Sequence, residues 1–479
     1  MTLSKKYVII YAGVNNFGVD KMFEKNFIGR TNELKELETR YHSGRKEFGV
    51  IYGRRRIGKS ALIAHFLNNK NGILFQAKRD NAYGNLRSFS YELNKVLRYP
   101  KHYVFSSWQE AFDSVLEYAQ NERFVLAIDE YPYILEQNDS FSSVLQEFVD
   151  RATENIFVLI SGSDVSLLKK EIQDHASPLY KRRTFEMAVT QMPYREAVEF
   201  LSDFPDEIKC DYLALMSTFP YYLSAINSKL SFEDNIKNLL FNQYGTFFTL
   251  SDQLLSNSTK VQDVYNAILT AIAHRKRTNK EIADYIHEDE SKVAKYLLTL
   301  LESELVVKCE TFMGNKKTNY YEIGDPLLKF WYTFIFDNQE RIKTNGEKVY
   351  QEVKENIHQF ICRGFEEVCR LYVQQLNMDG ELKEVFPKLQ TYKVEKSKLG
   401  RSVEIDGLAL ANDTLLVLEC KYRTIPFNRE MLEHLKESVS VFAEKYKRKY
   451  YIFSKAGFTA EVKEEEGYNL KLISLKDLF

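Results

Sequence analysis

Cysteine is scarce in this chain: five in 479 residues, at 210, 309, 362, 369 and 420. They form no CxxC pair and no Cys/His cluster at zinc-ligand spacing, so they read as reduced thiols of a cytoplasmic protein. Proline and glycine are few, nine and twenty, which excludes collagen-like and low-complexity classes. No apolar run approaches the ~18 residues that a membrane-spanning helix needs. The one N-terminal candidate, residues 7–14, is short and lacks a small-residue cleavage signal, so neither membrane nor export is expected. Excess charge is also missing. Lys and Arg number 66 against 67 for Asp and Glu, a net charge of -1, so any contact with nucleic acid must be local.

What is present is ample apolar material, 44% of residues, enough for packed cores throughout. At about 150 residues per domain the length predicts roughly three domains. Residues 1–21 fit no later pattern, and the first strong motif follows Met22.

Thr31 is a helix cap candidate ahead of Leu34, Leu37 and Tyr41 at 3–4 spacing. A short apolar run, Phe48 to Tyr52, is followed by a glycine-bearing loop and an apolar helical stretch from Ala61 to Leu67. Further strand candidates are Gly72 to Gln76, Phe124 to Ile128 and Phe157 to Ser161. Unbroken apolar runs separated by helical patterns predict a parallel sheet with helices on both faces. After Pro193 the pattern turns helical to about Asn257. Helical segments at 261–274, 279–286 and 291–301 then precede two short strands, 305–309 and 320–323, flanking Gly314. That order predicts a winged helix-turn-helix. Helix follows from Pro326 to about Leu376, and strands and helices alternate thereafter.

Residues 53–60 read GRRRIGKS, a full G-x-x-x-x-G-K-[ST] match between strand and helix. The backbone of Gly53, Arg54, Arg55, Arg56, Ile57 and Gly58, continuing through Lys59, Ser60 and Ala61, is expected to point its amides at phosphate oxygens. Lys59 would reach the β- and γ-phosphates and Ser60 would hold Mg²⁺. Seventy residues after Lys59, FVLAIDE ends a buried strand with two acids. Asp129 is the expected Mg²⁺ partner and Glu130 the base for the attacking water. Ser161 in ISGSD either bonds the γ-phosphate or its water, or belongs to a helix cap. Arg182 and Arg183 either sense γ-phosphate charge or form surface ion pairs.

FIGR ahead of the phosphate loop, GRRRIGKS, AIDEYPYI, ISGSD and SPLYKRRT together resemble the archaeal-type AAA-related ATPases, relatives of the signalling STAND and origin-recognition ATPases. The resemblance covers residues 25–330. It implies ATP binding, slow switch-like hydrolysis and a position for residues 27–30, with Gly29 and Arg30, near the adenine. The residues alone specify only a nucleoside triphosphate and Mg²⁺.

A second chemical pattern lies near the end, in VEIDGLALANDTLLVLECKY. Period-2 alternation puts Val417, Glu419 and Lys421 on one strand face, and Asp406 approaches Glu419 across a hairpin turning at 411–413. Burying an acid and a base in an apolar strand costs several kcal/mol unless they pair or bind an ion. Asp406 and Glu419 are candidate Mg²⁺ ligands and Lys421 a candidate to orient water at a phosphodiester. Glu366 or Glu367 in GFEEVCR would extend that shell, Glu366 being taken here. The D-x12-E-x-K spacing resembles the PD-(D/E)XK nucleases over residues 355–479, with Ile405 where that family often has proline. A structural ion pair, or a degenerate nuclease kept for docking, is the alternative.

The fold class expected is α/β: a P-loop ATPase domain with a parallel sheet (22–192), a helical lid (193–257), a winged-helix domain (258–335) and a restriction-endonuclease-like domain (336–479). Ser291, Lys292, Lys295 and Thr299, with basic residues at 274–277, Lys316 and Lys317, would touch DNA phosphates, although the acids at 288–290 oppose this and winged helices also bind proteins. The expected function is an ATP-hydrolysing switch coupled to a Mg²⁺-dependent DNA-binding, nuclease-like domain, with DNA as partner and a homo-oligomer open. The rival is a non-catalytic ATP-regulated protein whose terminal domains bind DNA or a protein; an ATPase acting on proteins is a third class.

Overall fold

The computed structural model describes residues 11–12, 27–100, 102–255, 259–313, 319–395 and 397–479. Gly314, Lys316, Lys317 and Met22 lie outside them, as does most of the 7–14 run. The chain divides between Met192 and Pro193 into two compact units. The lid, winged-helix and nuclease-like divisions expected from sequence all fall within the second.

The first unit is built on a parallel sheet of β1 (Tyr11–Ala12), β2 (Glu47–Tyr52), β3 (Gly72–Gln76), β4 (Phe124–Asp129), β5 (Ile156–Gly162) and β6 (Phe185–Ala188), in the order β1-β3-β4-β5-β2-β6. β4 and β5 are buried at every position, which is why they read as unbroken apolar runs. Helices cover the sheet, and Phe75, Phe89, Trp108, Phe112, Phe141 and Phe148 interlock beneath one of its faces. All neighbouring strands run parallel, so their carboxyl ends share one edge. Strand order therefore decides which loops meet there. β5 lies between β2 and β4, which brings the loops after Tyr52, Asp129 and Gly162 together. β6 was not expected from sequence; it is only four residues long and alternates buried and exposed positions, the mark of an edge strand.

The first helix runs Thr31–Tyr41, and the residue at its cap position is Arg30, at φ 59, rather than Thr31. The helix predicted from Ala61 begins two residues earlier, at Lys59.

The second unit begins with short helices, among them Asp206–Met216 and Phe232–Leu240. The helices Thr259–Ala273, Asn279–Ile286 and Glu290–Glu302 follow, then the antiparallel pair β7 (Val306–Cys309) and β8 (Tyr320–Ile323). A capping box between Thr278 and Glu281 starts the middle helix. Ser291, Lys292, Lys295 and Thr299 are exposed, as their spacing predicts, and Lys292 is paired with Glu288 at 2.7 Å. After the helix Pro326–Phe334, a helical stretch from Gln339 to Met378 is broken at Asn345, whose φ of -158 and ψ of 84 are not helical.

The closing sheet has the order β13-β12-β11-β10-β9, from β9 (Gln390–Val394), β10 (Val403–Ala411), β11 (Thr414–Lys421), β12 (Lys447–Ser454) and β13 (Leu470–Ser474). β9, β10 and β11 are antiparallel; β11, β12 and β13 are parallel. The β10–β11 hairpin turns at Asn412, left-handed at φ 53, a conformation that Asn tolerates better than most residues. Among the described residues no helix is long and apolar enough to cross a membrane.

Candidate functional site

The loop after β2 carries two left-handed residues, Arg56 at φ 65 and Gly58 at φ 98. Such alternation directs backbone amides into a concave anion nest. Gly53 is needed for a different reason: a Cβ there would lie 2.2 Å from the Val189 carbonyl oxygen. Arg30, only 2% exposed, fastens the loop from outside. Its guanidinium donates to the carbonyls of Ile57 and Thr190, at 2.8 Å each, and pairs with Glu33. These donors hold the phosphate loop to the segment after β6.

Lys59 is buried and donates to the carbonyls of Gly53, at 2.8 Å, and Arg54, at 3.0 Å. Burial lowers its pKa, against the pull of Glu130 and Asp129. Asp129, 1% exposed at the end of β4, accepts the Ser60 hydroxyl on Oδ2 and the Ser161 hydroxyl on Oδ1, both at 2.5 Å. Ser161 is fully buried and spends its proton on Asp129. In this arrangement its hydroxyl orients the acid.

Glu130 adopts φ 52, a left-handed backbone that costs a non-glycine residue about 1 kcal/mol or more. Its Oε2 accepts both the hydroxyl of Ser163, at 3.0 Å, and its backbone amide, at 3.3 Å. Burial raises the Glu130 pKa, Asp129 raises it further, and Lys59 and Ser163 oppose the shift. Arg55 reaches Ser163 Oγ at 3.4 Å and the Tyr133 hydroxyl at 2.5 Å. The sequence pointed to the small hydroxyls of Ser161-Gly-Ser-Asp164 together, without distinguishing Ser161 inside β5 from Ser163 just past its end, and gave no sign of Tyr133.

Arg182 and Arg183 are committed elsewhere. Arg182 makes a two-pronged contact with Asp150 and donates to the carbonyls of Pro178 and Tyr180. Arg183 pairs with Glu186 at 3.0 Å and donates to the Ile172 carbonyl. The structure thus supplies the ion pairs that were one reading of these arginines, and none of those partners lies in the phosphate loop.

In the second unit the hairpin register runs from Ala411 opposite Thr414 to Gly407 opposite Leu418, one residue short of Asp406 and Glu419. Asp406 Oδ2 accepts the Cys420 amide at 2.8 Å, and Lys421 is ion-paired with Glu419. Burial, then Asp406, pushes Glu419 up to about 7. The same two causes, in that order, push Glu366 up to about 7. Asp406 is raised by burial, against Lys421 and the Cys420 amide. Burial alone would lower Lys421, but Glu419 outweighs it and the pKa is raised. The four expected residues thus share one electrostatic site.

Arg370 was not anticipated. It donates to the Asp406 carbonyl at 2.7 Å and pairs with Glu367 at 2.9 Å and Glu366 at 3.6 Å, holding the helix against β10. The i,i+3 and i,i+4 spacing in GFEEVCR was its only sequence signal. Among the described residues no group of three or more His, Cys, Asp or Glu side chains stands ready to hold a metal ion.

Residues 27–212 match a family of ATPase domains found predominantly in Archaea, and residues 331–435 match a family of archaeal and bacterial proteins of unknown function. An uncharacterized protein of Methanocaldococcus jannaschii is 26% identical over 462 residues, 94% of this chain and 99% of its own length. An uncharacterized ATP-binding protein of the same organism is 43% identical over 44 residues, 9% of this chain and 75% of that protein. Among solved structures, a Walker-type ATPase of Pyrococcus abyssi superposes with a TM-score of 0.51 at 21% identity, over 65% of this chain and 99% of its own. That likeness establishes a shared fold. The chain is therefore similar to archaeal ATPase domains over residues 27–212 and to proteins of unknown function over residues 331–435.

Proposed function

We propose that the first unit binds ATP with Mg²⁺ and hydrolyses it as a switch, and that the second unit binds DNA and breaks its phosphodiester backbone with Mg²⁺ at Asp406 and Glu419. The observation that carries the first half is Asp129, held between the hydroxyls of Ser60 and Ser161 beside the phosphate loop. A hydroxyl and a carboxylate are the oxygen donors that Mg²⁺ takes, the rest of its shell coming from phosphate and water. Ser60 and Asp129 would hold Mg²⁺, which would supply neutralisation of charge on the transferring phosphoryl group. Loop amides and Lys59 hold the phosphates, and Glu130 takes the proton of the attacking water. For Lys59 this means exchanging two carbonyls for phosphate oxygens.

In the second unit, Asp406 and Glu419 each keep one carboxylate oxygen outside the contacts described above, which fits a hard cation. Asp406 and Glu419 would hold the metal as ionised carboxylates, and Lys421 would orient the water. The winged-helix reading of residues 259–323 supplies a DNA-binding element through Lys295 and its exposed neighbours. The rival non-catalytic reading draws on the Lys421–Glu419 pair, which satisfies both charges without an ion.

The test incubates supercoiled and linear DNA with the full chain, with and without ATP and Mg²⁺. Nicking that needs Mg²⁺ and disappears in Asp406→Asn supports the nuclease. No nicking, with DNA still retained by gel shift, establishes the binding platform instead. ATP turnover unaffected by Lys59→Ala would refute the first half.

A further inference from the structure

The helix Ala82–Leu97 buries Leu86, Phe89 and Leu93 in the core of the first unit. Its opposite face is a row at i,i+4 spacing: Tyr83, Arg87, Tyr91 and Lys95, all exposed, Tyr83 by 62%. Aromatic and cation alternate along it. Lys95 Nζ sits 4.3 Å from the centre of the Tyr91 ring. Past the helix end come exposed Arg98 and the exposed rings of Tyr99 and Tyr103, stacked at 5.2 Å.

The row carries no exposed aliphatic side chain, and the sole acid from residue 82 to 103, Glu92, is buried and bound to Lys95 at 2.6 Å. Neighbouring Glu110 is held by Tyr103 and Ser106. Tyrosine is an indifferent helix former, and an exposed aromatic row adds nothing to the core, so neither propensity nor packing accounts for it.

We propose that this ridge is a docking surface for single-stranded DNA. Open tyrosine rings offer stacking platforms to unpaired bases, and the exposed Arg87 and Arg98 meet the phosphates. Successive rings on the helix lie about 12 Å apart at 1.5 Å rise per residue, leaving room for the backbone to pass a cation between stacked bases. Duplex DNA hides its base faces and gains only the phosphate contacts. The surface belongs to the ATPase unit and is independent of the acids around Asp406, so failure of DNA cleavage there leaves it standing.

Fluorescence anisotropy of labelled dT20, rU20 and a 20-base-pair duplex with the full chain tests it. Tyr83→Ala/Tyr91→Ala should weaken dT20 binding roughly tenfold or more per ring. Tyr83→Phe/Tyr91→Phe should bind within about threefold of wild type, since it keeps both π faces. ATP turnover without DNA should be unchanged in both, showing that the unit is folded. Absence of dT20 binding by wild type, an unchanged affinity in the alanine pair, or an equal loss on duplex would overturn the proposal. Preference for rU20 over dT20 by more than about tenfold would overturn the assignment to DNA.

Discussion

The hydroxyl of Ser161 donates to Asp129 Oδ1 at 2.5 Å, from a position with no solvent exposure. It joins β5 to β4 at the edge where the phosphate loop lies, and fixes the carboxylate so that its other oxygen meets Ser60. With Asp129 as the Mg²⁺ ligand proposed above, a group behind it of this kind typically contributes 10–100-fold to metal affinity or activity. Ser161→Ala should therefore raise the Mg²⁺ concentration for half-maximal ATP turnover by about that factor while ATP remains bound. A Mg²⁺ titration of turnover in both proteins checks this.

Glu130 has its pKa raised by burial, so a base at this position loses activity as pH falls through a value above the ordinary 4.5. Ser163 donates twice to the charged form and holds the shift down. Ser163→Ala removes one of those bonds and should move the acid limb of the kcat–pH profile to higher pH. A limb that stays in place would separate Ser163 from the titration of Glu130.

Arg30 joins two carbonyls that are 133 residues apart in sequence, Ile57 and Thr190. Truncation leaves them without these donors, at about 1–3 kcal/mol for each buried acceptor. Arg30→Ala should lower the unfolding free energy by about 3 kcal/mol and weaken nucleotide binding by loosening the loop. Arg30→Lys should recover little of this, because an ammonium lacks the guanidinium fork. Urea unfolding, with and without nucleotide, measures both effects.

In the second unit, Glu366 and Glu419 sit near 7 when folded against an ordinary 4.5. The folded chain keeps these protons while the unfolded chain releases them, so their contribution is full below about 4.5 and declines as pH rises through about 7. Metal-free protein should therefore melt lower at pH 8 than at pH 5.5. Glu366→Gln should recover part of the difference at pH 8 and change little at pH 5.5. Mn²⁺ should stabilise wild type more at pH 8 than at pH 5.5, because it competes with protons for the same oxygens. Thermal melts at the two pH values, with and without Mn²⁺, test all three outcomes.

The parts legible in the sequence are those in which chemistry and backbone travel together. GRRRIGKS needs a strand before it and a helix after it, and both are local. Asp129 and Glu130 end a strand buried at every position, so their place at the sheet edge followed from hydropathy alone. The β10–β11 hairpin was legible because its register follows from alternation and turn length. What sequence did not reveal are side-chain partners set by strand order. Insertion of β5 between β2 and β4 decides that Ser161 serves Asp129 and Ser163 serves Glu130. The fastening of Ile57 to Thr190 by Arg30 was hidden because those two carbonyls are close only after folding. β6 escaped notice because four residues of edge strand leave little periodicity to detect.

The central claim is that the backbone from residue 53 to residue 60 grips a triphosphate. Calorimetric titration of the full chain with ATP and Mg²⁺ tests it most directly, beside Lys59→Ala. The account predicts saturable binding at one site per chain, weakened tenfold or more by the substitution. No heat at millimolar ATP and Mg²⁺, or equal affinity in the variant, would contradict it.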